Sequence, residues 1–146
     1  MKTTDHTTET CNSLLRGELS AIETYTQAIS KFDGEPAGKP LRRIRTDHET
    51  SAASLREIIC RCGVEPAASS GPWGAFATAV EGVATLFGES PALVALQHGE
   101  VHGISEYEDA IEDDELDESV KDLIRRELLP SLRTHLVELE RCKASV

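Results

Sequence analysis

With 146 residues, 39% hydrophobic and only 4% aromatic, the chain has the length of one domain and the makings of a Leu, Ile, Val and Ala core, which suits closely packed helices better than strands. A net charge of -11 excludes nucleic acid as a partner, because phosphate binding needs a basic surface. No apolar run approaches the ~18 residues of a membrane span, and the polar start MKTTDHTTET lacks the basic-then-apolar order of a signal peptide, so no membrane partner and a cytoplasmic location are expected.

A single domain is expected over residues 1–146, with residues 1–8 as a flexible tail. The first helix is predicted over Thr8–Phe32 and stops at the turn signal Asp33-Gly34. A second follows the Pro36–Pro40 region and runs to Cys62, where Gly63 suits a left-handed C-terminal cap. Residues 63–90 then form a long crossover. Within it, Pro72 near the first position opens a short helix, Trp73–Phe87, with apolar residues at 73, 76, 77, 80, 83, 84 and 87. Ser90-Pro91 opens the third long helix, which reaches Ile111. Eight of the eleven residues from Glu108 to Glu118 are acidic, which fits a solvated link between helices, with a weak cation-attracting rim as the alternative. The fourth long helix starts near Asp117 and carries Pro130 inside it, where a kink or bulge is expected because proline cannot donate to the carbonyl of Arg126.

The sequence repeats itself. Gly17-Glu18 through Ala28-Ile29 lies over Gly99-Glu100 through Ala110-Ile111, with Gly, Glu, Ile, Tyr, Ala and Ile at matching positions. The helices that follow match more weakly, each placing a Leu seven residues before a His (Leu41 and His48, Leu128 and His135). Two helical hairpins joined by a crossover too long for a simple turn give an all-α, ferritin-like four-helix bundle in up-down-down-up order.

Every long helix puts one ionisable residue into its apolar stripe. The stripes read Leu14, Glu18, Ile22, Tyr25; Ile44, His48, Ala52; Leu96, Glu100, Ile104, Tyr107; and Leu132, His135, Leu139. Glu18 and His48 are equidistant from the Asp33-Gly34 turn and so share one height, and Glu100 with His135 do so more loosely about the acidic link. Buried glutamate is costly unless paired. Two solutions satisfy the set: one divalent ion (Fe, Zn or Mn) held by Glu18, His48, Glu100 and His135, or a metal-free Glu–His network that fixes helix register. Tyr25 and Tyr107 stand two turns beyond their own helix's glutamate, too far to share a metal with it, and are assigned to core packing with a satisfied hydroxyl.

The remaining groups carry less. His98 and His102 form an i, i+4 pair that points away from Glu100 and is expected on the surface. Asp47 and Glu49 flank His48 as supporting or surface groups, and His6 lies in the tail. Cys11, Cys60, Cys62 and Cys142 lack zinc or thioredoxin spacing and read as free thiols. Phosphate loops, nucleophile elbows and H-E-x-x-H motifs are missing.

Gly17-Glu18, Asp47-His48, Ser70-Gly71-Pro72-Trp73-Gly74, Gly99-Glu100, Leu128-Leu129-Pro130 and His135 together resemble an uncharacterised bacterial family of four-helix-bundle proteins, a domain of unknown function grouped with the ferritin-like superfamily. The resemblance spans about Cys11–Cys142 and implies the fold more than an activity. Ferritin-like enzymes add a glutamate three residues before each histidine, and here Arg45 and Leu132 stand in those places. The resemblance therefore implies a non-catalytic bundle with at most one metal. The alternatives are an iron-dependent oxidase or peroxide- and iron-handling stress protein, and a structural bundle that docks a partner through Trp73–Phe87 or forms a homo-oligomer.

Overall fold

A computed structural model describes residues 2–32, 34–71 and 88–145. The expected crossover helix at Trp73–Phe87 lies outside the described residues. The rest is all-helical: α1 (Lys2–Lys31), α2 (Gly38–Arg61), α3 (Glu89–Glu112), and a fourth rod made of α4 (Glu118–Leu123), a π-helical segment (Ile124–Leu128) and α5 (Leu129–Ser145).

Helix ends fall close to the sequence signals, with one exception. Gly63, at φ +75°, closes α2: its N–H donates to Cys60 O and the N–H of Val64 donates to Ile59 O, the paired bonds of a Schellman cap. Asp117 caps α4 by accepting from the N–H of Ser119. The exception is α1, which begins at Lys2 and takes up the stretch expected to be a tail. Thr7 and Thr8 are buried there, the Thr7 hydroxyl accepts from the N–H of Asp117, and His6 pairs with Asp113 at 2.5 Å. The acidic link thus docks on the start of α1.

Pro130 produces a bulge, not a break. The N–H of Leu129 reaches back five residues to Ile124 O, so the turn before the proline is wider than an α-turn. This accommodates the missing donor of Pro130 and lets the apolar stripe continue from Ile124 through Leu128, Leu132 and Leu139, all buried.

The core is divided. One apolar cluster gathers Cys11 and Leu15 of α1, Leu55 and Ile59 of α2, Ala110 of α3, and Val120 and Ile124. The other gathers Ile29 and Phe32, Leu41 and Ile44, Leu93 and Leu96, and Leu139 and Cys142. Each long helix contributes opposite ends to the two clusters. All four cysteines are free, Cys11 and Cys142 buried and Cys60 exposed. No helix among the described residues is long and apolar enough to cross a membrane.

Candidate metal centre

Between the two clusters lies a polar layer. Glu18, His48, Glu100 and His135 are all at least 95% buried, one from each long helix. The three- and four-residue steps of each stripe bring one polar group inward at mid-height, flanked by leucine or isoleucine a turn away.

His48 is the hub. Its Nδ1 lies 2.6 Å from Glu18 Oε2 and its Nε2 lies 2.8 Å from Glu100 Oε1. His135 approaches the same carboxylate from the other side, with Nδ1 3.2 Å from Glu100 Oε2, while its Nε2 meets Asp47 Oδ2 at 2.9 Å. The two imidazoles are 4.8 Å apart and tilted by 52°. Both histidines thus follow one plan: one nitrogen faces Glu100, and the other faces a separate carboxylate.

The tyrosines complete the layer crosswise. Tyr25 of α1 donates its hydroxyl to Glu100 Oε1 of α3 at 2.7 Å, and Tyr107 of α3 donates to Glu18 Oε1 of α1 at 2.6 Å. The sequence assigned each a satisfied hydroxyl without identifying the acceptor. Tyr25 also stacks on His48, with ring centroids 5.4 Å apart. Among the described residues no buried side-chain polar atom lacks a hydrogen-bond partner.

Electrostatics follow from this packing. Burial works against a charged His48, but the neighbouring Glu18 and Glu100 carboxylates outweigh it and raise its pKa from 6.5 to about 10. Burial likewise opposes ionisation of Glu100, yet His48 and His135 prevail and lower its pKa from 4.5 to about 2. Tyr25 and Tyr107 are pushed well above 10, first by burial and then by the carboxylates they bond.

His48, Glu100 and His135 could hold a metal ion: one ligand atom from each lies within 4.8 Å of the others. Adjacent ligands sitting about 2.1 Å from a shared ion are roughly 3.0–3.4 Å apart. The two histidine–Glu100 separations, 2.8 and 3.2 Å, come close to that spacing. Glu18 is held behind His48 on its far nitrogen. His98 and His102 are exposed on α3, as expected, with His102 paired to Glu106 at 3.1 Å. Asp47, only a flanking group in the sequence reading, is a direct partner of His135. The positions where a second pair of metal carboxylates would stand hold other chemistry. Arg45 reaches Thr26 and Glu49 at the surface, and Leu132 is buried in the apolar core.

The family defined by the domain of unknown function DUF2383 matches residues 6–113. That span contains Glu18, His48, Glu100, Asp47 and both tyrosines, and ends before His135. Neither the curated proteins nor the solved structures contain a match.

Proposed function

The chain belongs to the DUF2383 family, and from that premise we propose that it is a ferritin-like, up-down-down-up bundle that holds one divalent transition metal ion through His48, Glu100 and His135. One observation carries this reading. Each histidine aims one nitrogen at the shared Glu100 and gives the other to its own carboxylate, Glu18 for His48 and Asp47 for His135. Metal-binding histidines are oriented in this way by an outer carboxylate that fixes the tautomer and the ring plane. Two imidazoles and one carboxylate suit Fe, Mn or Zn. Glu18, first counted with the ligands, takes the outer role in this reading.

The crossed tyrosine–glutamate pairs support descent from a duplicated hairpin, since each half supplies the same donor to the other half's acid. With Arg45 and Leu132 in place of two carboxylates, the site is a one-metal centre, and the protein reads as a metal-binding bundle and not as a di-iron oxidase.

A second reading is favoured by the full hydrogen bonding of the layer: a metal-free network that sets helix register. One experiment separates the two. Purified protein stripped of metal is titrated with Zn(II), Mn(II) and, without oxygen, Fe(II), alongside His135→Ala and Glu100→Ala. One ion per wild-type chain, lost in both variants, is the expected result. Equal and negligible uptake by all three proteins leaves the metal-free network as the function of the layer.

A further inference from the structure

Between α1 and α3 lies a cavity of about 320 Å³. Its walls owe their openness to small residues, Gly17 and Ala21 on α1 and Gly99 and Gly103 on α3. Packing explains only part of this. A Cβ on Gly103 would stand 3.0 Å from the Leu132 side chain, so glycine there permits α3 to approach α5. A Cβ on Gly17 would meet only the end of Glu106, at 3.8 Å, an ordinary contact. Helix packing does not require glycine at position 17, and its effect there is to leave space.

The cavity also reaches the polar layer. His48 and Glu100 line it, and both are at least 97% buried, whereas His135 does not line it. An ion among the three ligands would therefore have His135 behind it and the cavity on its His48–Glu100 side. Three protein ligands leave a divalent transition ion at least one position short of its usual complement, and open positions of this kind accept water or a substrate. Apolar walls around such a position disfavour a cluster of waters and favour a molecule with an apolar body.

We propose that this cavity takes a small, largely apolar molecule whose single oxygen-donor head group completes the coordination of the ion at His48, Glu100 and His135; this rests on the metal reading above. Size limits the body. A cavity of ~150 Å³ holds one benzene, so this one holds roughly thirteen non-hydrogen atoms.

The test uses Co(II), whose visible absorption reports its coordination. Co(II)-loaded protein is titrated with benzoate and, separately, with benzyl alcohol, which distinguish an anionic head from a neutral one. The expected result is a saturable spectral change with at least one probe. Ala21→Leu and Gly17→Leu fill the cavity without touching a ligand. Each should still bind one Co(II) and lose at least tenfold in probe affinity. If Co(II) binds but neither probe changes the spectrum, or both filled variants respond like wild type, the cavity proposal is overturned and the metal reading stands. If Co(II) does not bind at all, both fall.

Discussion

Tyr107 donates its hydroxyl to Glu18 across 2.6 Å, although the two residues are 89 positions apart in the chain. Tyr25 does the same for Glu100. Each glutamate therefore takes a donor from the opposite half of the chain, and separating the two halves breaks one hydrogen bond at each carboxylate.

Tyr107→Phe should lower the stability of the metal-free protein by about 1–3 kcal/mol, the cost of a buried acceptor losing its donor. Tyr25→Phe should cost less, because Glu100 Oε1 keeps His48 Nε2 as a second partner at 2.8 Å. Urea denaturation followed by circular dichroism measures both. A loss below about 0.5 kcal/mol for Tyr107→Phe would mean that water replaces its hydroxyl.

The pH dependence of the metal-free protein follows from two shifts of opposite sign. His48 is raised from 6.5 to about 10, so its contribution is complete below pH 6.5 and disappears as pH rises through about 10. Glu100 is lowered from 4.5 to about 2, so its contribution is complete above pH 4.5 and disappears as pH falls through about 2. The stability difference between wild type and a His48→Gln/Glu100→Gln double variant should be largest between pH 4.5 and 6.5 and shrink on either side. Denaturation midpoints of both proteins across the pH range test it. A difference independent of pH would remove the ionic account of the layer.

Asp47 separates the metal reading from simple packing, because its side chain is 53% exposed while it holds the buried His135. Asp47→Asn should weaken metal affinity about 10–100-fold, the usual effect of losing a histidine's outer carboxylate. The melting temperature of the metal-free protein should move little. Calorimetric titration and thermal melts give the two numbers, and unchanged affinity would detach Asp47 from the site.

The widened turn before Pro130 contains one residue more than an α-turn. Deleting the exposed Arg126 together with Pro130→Ala should therefore restore a regular helix and leave His135 in place. Deleting the exposed Arg56 from regular α2 should instead rotate the rest of that helix by about 100°. Circular dichroism, metal uptake and the melting temperature should survive the first deletion, whereas the second, which turns the buried Ile59 away from the core while leaving His48 in place, should lower the melting temperature. Equal damage from both would show that the wide turn is not a removable insertion.

Much of this layer is legible in the sequence because burial along a helix is periodic. Glu18, His48, Glu100 and His135 occupy their stripes at the expected steps, and all four are buried. What crosses between helices is not periodic. Asp47 is one position from His48, so the rotation of the helix turns it toward the fourth rod, and only the placement of that rod makes it the partner of His135. The tyrosines left a signal that was available: both stand seven residues beyond a glutamate. In two antiparallel helices that shared offset brings each tyrosine level with the other's acid. The sequence reading starts the first helix at Thr8 because residues 2–7 are all polar, yet Thr7 is buried where the acidic link docks.

The divided core has a consequence for how the bundle comes apart. Apolar contact holds each half together, but at mid-height much of the contact passes through Glu18, His48, Glu100 and His135. That layer acts as a seam whose strength is set by protons and by any bound ion, while the two halves keep the temperature response of ordinary hydrophobic cores. Amide hydrogen exchange should then fall into two blocks, one for each cluster. Adding metal should merge them into one, turning two loosely joined melts into a single cooperative transition.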